Sequence, residues 1–143
     1  MNDNIQPAID ALIKASEATT EPHLKRCYET AIQTLTIANL GGFGWLVDLV
    51  RQWGLERNII GPEAKATVAS QYEKLLEEVA EIKEGIDSMD QHAIIDGIGD
   101  STVVLILLAN LAGVRFEQCL LAAYDEIKER KGKIVDGKFV KEL

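Results

Sequence analysis

Apolar residues recur at helical spacing along almost the whole chain. Ile5, Ile9, Leu12 and Ile13 mark a short amphipathic helix ending near Thr19. Thr20 is placed to cap the next helix, with Pro22 in its first turn and Leu24, Tyr28, Ile32, Leu35 and Ile37 along its length. Gly41-Gly42 breaks that helix, so residues 1–40 read as an N-terminal helical hairpin. A third helix is expected from Phe43 to Arg57, with Trp45, Leu46, Leu49, Val50 and Trp53 on its apolar side. After a loop at Asn58–Pro62, a fourth helix spans about Ala64 to Gly85, with Leu75, Leu76, Val79, Ile82 and Ile86 as its stripe. Asp90 caps a fifth helix that runs to about Ala112, where Gly113 stops it, and a sixth covers Glu117 to Arg130. In the tail, the turn signal Asp136-Gly137 lies between two short apolar-containing arms, a pattern that suits a small hairpin. The fold class is all-α.

The fifth helix departs from amphipathic patterning. After Asp100 it is apolar on every side, through Val103 to Leu111. Such a surface has to be covered all round, and few long helices are available to do it. The pattern predicts a homo-oligomer with this helix near a subunit interface. The alternative is the central helix of a monomeric bundle.

Composition narrows the classes. A hydrophobic share of 47% excludes disorder, and 143 residues suffice for a real core. The net charge of −8 argues against a nucleic-acid-binding surface. One basic cluster stands out against it: Lys128, Arg130, Lys131 and Lys133. The run Val103 to Ala112, interrupted by Asn110, is too short to span a bilayer, so no membrane partner is expected. Cys27 and Cys119 lie in helical apolar patterns and read as small buried hydrophobes in a reducing cytoplasm.

The chemistry lies in acids threaded through apolar helices. Glu77, Glu78 and Glu81 sit on the fourth helix, Asp96 and Asp100 on the fifth. Glu78 and Glu81 are three apart and Asp96 and Asp100 four apart, so each pair shares one helix face. Packed antiparallel, the two helices would aim Glu78, Glu81, Asp96 and Asp100 at one point. Such charge near a core calls for a cation, and Mg²⁺ with a phosphate substrate is the candidate. Taken alone, EExxE is also what a solvated helix face looks like. The second motif is harder to dismiss. Gly97 and Gly99 each cost about 1 kcal/mol relative to Ala inside a helix, and they leave room for another backbone or a ligand. The competing reading makes the segment a loop, with the helix starting at Asp100.

Other polar positions are weaker signals. Asn110 within the apolar run needs a hydrogen-bond partner, in a ligand or across helices. Tyr124 with Lys128, Arg130 and Lys131 could meet phosphates, though cations at a helix C-terminus also suit the macrodipole. Trp45 and Trp53 read as core, with base stacking by Trp53 the minority reading. His23 and His92 show no metal spacing.

EEVAE, then DGIGD, then a long apolar helix and a basic helix end resemble the MazG-like nucleotide pyrophosphohydrolases, whose pattern is EExxE followed by ExxD. Glu77, Glu78, Glu81 and Asp100 match it. Position 97 departs from it, with Gly in place of Glu and the carboxylate one place back at Asp96. The phrases LVRQWGLERNI, QYEKLLEEVAEI and DEIKERKGKIVDGKFVKE are similar to the short phage and bacterial members. The likeness covers about residues 43–143, which it marks as a MazG-like catalytic helical domain. It implies a dimer or tetramer that cleaves a nucleoside triphosphate between the α and β phosphates with Mg²⁺, Mn²⁺ being a possible substitute. It also implies a cytoplasmic setting in a bacterial or phage-infected cell. No side-chain nucleophile is evident, so water attacks. Glu77 or Glu78 would hold or deprotonate it, and Lys128, Arg130 and Lys131 would hold the departing phosphates. The opposing reading is a non-catalytic acidic helical interaction module.

Overall fold

The computed structural model describes residues 5–39 and 41–142, without the side chain of Ile37. Among them are six helices and one two-stranded sheet, an all-α fold with a small hairpin. The chain divides into two compact units, Met1–Gln52 and Trp53–Leu143, with the division inside the third helix.

In the first unit, α1 (Gln6–Ala18) and α2 (Pro22–Asn39) pack on each other. Asn39 Nδ2 donates to Gln6 Oε1 at 3.5 Å, which places the end of α2 at the start of α1 and makes the pair antiparallel. Pro22 opens α2, and the preceding Glu21 N–H donates to Thr19 Oγ1, so Thr19 rather than Thr20 serves the break. α3 (Gly42–Glu56) turns Val47, fully buried, to the interior, while Leu49 and Trp53 of the expected stripe stay exposed.

In the second unit the chain after α3 stays irregular as far as Thr67, longer than the sequence implied. Thr67 Oγ1 accepts from the Ser70 N–H and Ser70 Oγ accepts from the Thr67 N–H, a reciprocal capping box. That pairing starts α4 (Val68–Ser88) at Val68 instead of Ala64. Met89 closes α4 in the left-handed region, and Asp90 Oδ1 accepts from His92 and Ala93 to open α5 (Gln91–Leu111). α6 (Phe116–Ile127) ends one turn early, leaving Lys128 as its C-cap and Arg130 and Lys131 beyond it. β1 (Gly132–Val135) then pairs antiparallel with β2 (Lys138–Lys141) about Asp136-Gly137, both with φ above zero.

The α4–α5 pair is the main packing of this unit. Gly85 faces Ile94, and Gly97 faces Ile82 and the Glu78 carbonyl, so the helices run antiparallel. A Cβ on Gly85 would lie 2.9 Å from the Ile94 amide nitrogen; one on Gly97 would lie 2.7 Å from Ile82 Cγ1 and 3.1 Å from its nitrogen. Both glycines therefore set how closely the backbones approach. Gly99 has open space where its side chain would be, so the expected close approach holds at Gly97 alone of the two. Residues 94–102 are helical throughout, which excludes the loop reading.

Burial on α4 follows positions 71, 75, 78, 82 and 85, a face of Gln71, Leu75, Glu78, Ile82 and Gly85. The other half of the expected stripe, Leu76, Val79 and Ile86, is exposed beside Val68 and Tyr72. On α5, Val104, Ile106, Leu107 and Ala109 are buried. Ile60 is also buried, and Gly54 leaves the space that Leu107 and Ile60 fill. Four of the nine residues from Val103 to Leu111 are thus buried within the chain, while Leu105 in the run, and Ile95 and Ile98 nearer the start of α5, are exposed. An 18-residue window of α5 has mean hydropathy 1.7, so the helix is long and apolar enough to cross a membrane by length and composition alone. Cys27 and Cys119 are exposed, not core.

Two substitutions separate close packing from helix propensity. Gly97→Ala should lower unfolding stability by about 1–3 kcal/mol, because overpacking outweighs the propensity gain. Gly99→Ala, with nothing in its way, should raise it by up to about 1 kcal/mol. Urea unfolding monitored by circular dichroism reads both; equal shifts would show that α4 and α5 do not meet closely at Gly97.

Candidate functional site

The inward face of α4 is apolar except for Gln71 at its start and Glu78 at its centre. Periodicity forces the choice: a helix that presents Leu75 and Ile82 inward must present position 78 inward as well, and position 78 is Glu. Glu78 is only 4% exposed. Its Oε1 accepts from Lys74 Nζ at 2.7 Å, while its Oε2 is buried with no hydrogen-bond partner. Leaving a carboxylate oxygen so placed costs free energy, unless a donor or a cation reaches it.

Glu78 lines a cavity of about 370 Å³ together with Asp100, Lys74, Gln71, Trp53 and Ile59, over a floor of Val103, Val104 and Leu107. That volume is at the lower end of small-molecule sites. Every lining residue belongs to the second unit. Trp53, exposed over two fifths of its surface, offers a ring to this space, and Arg57 stands over the ring with Cζ 4.6 Å from its centroid. The expectation that Trp53 is core is corrected accordingly.

Of the four acids expected to converge, the structure brings Glu78 and Asp100 to one cavity. Glu81 and Asp96 are exposed one turn along α4 and α5 and do not line it. Among the described residues no group of three or more His, Cys, Asp or Glu side chains is gathered as a metal cluster. Glu77 is exposed and paired with Lys74 at 2.9 Å. Glu78 first, and Glu77 second, hold the Lys74 ammonium protonated well above the ordinary lysine range.

The expected phosphate contacts lie outside the cavity. Asn110 and Tyr124 are exposed, Lys128 pairs with Asp125 at 3.0 Å, and Arg130 pairs with Glu126 at 3.6 Å. Lys131 is exposed next to β1, its carbonyl accepting from the Glu142 N–H. α6 ends before Arg130 and Lys131, so these cations do not share a helix face with Tyr124. Sequence reasoning missed Lys74, Gln71 and Ile59. For Lys74 the signal was available: a cation three and four residues ahead of Glu77 and Glu78 is one turn from both.

The donor set suits a hard divalent cation. Mg²⁺ keeps several waters and takes one or two carboxylates plus substrate phosphates, so it does not require a four-acid cage. The orphaned Glu78 Oε2, with Asp100 on the same cavity, meets that demand.

The MazG nucleotide pyrophosphohydrolase domain matches residues 66–135, which is α4, α5, α6 and β1 and therefore includes Glu78 and Asp100. The match is narrower than the 43–143 span of the sequence likeness. Comparison with curated proteins and with solved structures gives no match.

Mn²⁺ should raise the melting temperature of the unaltered protein by several degrees, since a ligand at a hundredfold excess over Kd adds about 2.7 kcal/mol. Glu78→Gln and Asp100→Asn should each abolish that rise and remain folded. A full Mn²⁺ response in Glu78→Gln, read by calorimetry, would remove Glu78 from the metal site.

Proposed function

Residues 66–135 belong to the MazG nucleotide pyrophosphohydrolase domain family, and from that premise we propose that this chain hydrolyses nucleoside triphosphates between the α and β phosphates, giving the monophosphate and pyrophosphate with Mg²⁺. The observation that carries the reading is the buried Glu78 with one oxygen unpartnered, sharing a cavity with Asp100 inside the matched segment.

Glu78 and Asp100 would hold the cation, and Glu81 and Asp96 are the next acids along the same two helices. When bound, a divalent cation supplies charge neutralisation of the polyphosphate and a more acidic water. Glu77 or Glu78 accepts the proton of the attacking water. Trp53, Ile59 and Val103 give the cavity an apolar side suited to a base, and Lys74 gives it a cation suited to phosphate. Lys128, Arg130 and Lys131 lie outside it, and a role for them in holding phosphate would need a second copy or a moved tail. The residues 1–40 hairpin supplies no ligand in this reading, and the protein works in the cytoplasm on soluble nucleotides.

Assembly belongs to the same proposal. Val68, Tyr72, Leu76, Val79 and Ile86 form an exposed stripe on α4, and Leu120, Leu121, Tyr124 and Ile127 are exposed on α6. Uncovered apolar surface of this regularity suits a second copy of the chain. A homodimer or homotetramer is therefore expected by sedimentation at micromolar concentration, and Val79→Glu should dissociate it. A monomeric unaltered protein would sink the assembly.

Activity is tested by supplying a panel of nucleoside triphosphates with Mg²⁺ or Mn²⁺ and identifying the products. Pyrophosphate and monophosphate are expected. Glu78→Gln should lower kcat by roughly 10²–10⁴ with the fold kept, the range for loss of a positioned acid–base group. Release of orthophosphate, or no hydrolysis of any nucleotide, would favour the interaction-module reading instead.

A further inference from the structure

Lys74 is a charged group in the cavity to which neither the family match nor the acid motifs assign a role. Its ammonium donates to two carboxylates, 2.7 Å from Glu78 Oε1 and 2.9 Å from Glu77 Oε2. It satisfies only one oxygen of Glu78, while Oε2 is buried and unpartnered. The ammonium is thus an incomplete answer to a desolvated carboxylate. Among the residues lining the cavity, Glu78 and Asp100 against Lys74 leave one negative charge, and two once Lys74 has left Glu78, the amount that one dication cancels. Lys74 also has room to swing away once its ion pairs are exchanged, with 47% of its side chain exposed and a flexible four-carbon stem.

We infer that Lys74 is an exchangeable counter-ion: it neutralises Glu78 in the cation-free protein, yields that carboxylate to a divalent cation, and then turns its ammonium to the triphosphate of the substrate. A dication competes well for Glu78, because it carries twice the charge and can engage the buried oxygen that lysine leaves bare. Once released, a lysine on the same wall finds phosphate oxygens, which accept charge-assisted hydrogen bonds. The exchange couples the order of binding, with cation before phosphate. Its second half rests on the pyrophosphohydrolase reading, whereas its first half does not.

The test is Mn²⁺ affinity without nucleotide, by isothermal titration and by the free-Mn²⁺ electron paramagnetic resonance signal. Lys74→Gln keeps a neutral donor for Glu78 and should bind Mn²⁺ roughly fivefold more tightly, the scale of one competing ion pair. Equal or weaker binding by the folded variant overturns the exchange. In the unaltered protein, amine labelling of Lys74, read by mass spectrometry, should rise when Mn²⁺ is added; no change likewise overturns it. With Mn²⁺ saturating, an α,β-methylene triphosphate analogue should bind about tenfold more weakly to Lys74→Gln, with recovery in Lys74→Arg. Unchanged analogue binding overturns the phosphate half. If the unaltered protein binds Mn²⁺ but no analogue, the pyrophosphohydrolase reading fails and the two Mn²⁺ measurements still decide the exchange.

Discussion

The close approach of α4 and α5 constrains everything else in the second unit. Gly85 and Gly97 let two backbones meet where a methyl group would collide with a neighbouring amide or isoleucine. Antiparallel packing at that distance fixes the rotation of each helix. The rotation decides that position 78 faces inward, and with it that a carboxylate lies in a mostly apolar seam. It also puts Asp100, on the partner helix, at the same cavity. Two glycines that weaken each helix in isolation thereby set the geometry of the site.

An ionised side chain in such a seam is stable only in company. Lys74 provides part of it, one turn back on the same helix, but a single ammonium leaves the deeper oxygen of Glu78 bare. An apolar residue at position 78 would pack without that cost. A purely structural ion pair gains little over a hydrophobic replacement, and that cost is what supports the proposed role of Glu78. The same principle separates the acids from one another. Glu77, Glu81 and Asp96 are solvated and cost nothing, so their position alone says less about what they do.

The surface follows a similar logic. α4 carries two apolar faces, one spent on α5 and one exposed, and α6 exposes most of its apolar residues. A helix with two such faces is built to pack twice. The MazG match begins just before α4 and ends in β1, so α4 and α6 with their uncovered faces both lie in the matched segment.

The sequence by itself determined the number and order of the helices, because spacing, caps and breakers are local. Asp90 as N-cap, the break at Gly41-Gly42, the stop at Gly113 and the Asp136-Gly137 turn were all legible for that reason. So was the identity of the acids and the family they resemble. Boundaries that depend on reciprocal side-chain bonds were less legible, as at Thr67 and Ser70, where a capping box delays α4. Tertiary structure alone decided which half of the α4 stripe is buried, since both halves are equally apolar in sequence and only the contact with α5 distinguishes them. It also decided that Val47 rather than Trp53 is interior, that both cysteines are exposed, and that Lys128, Arg130 and Lys131 stay apart from the cavity. Above all it decided that Glu78, among five acids in similar motifs, is the one left buried with a bare oxygen. Burial is a property of what packs against a side chain, and no local pattern of residues encodes it.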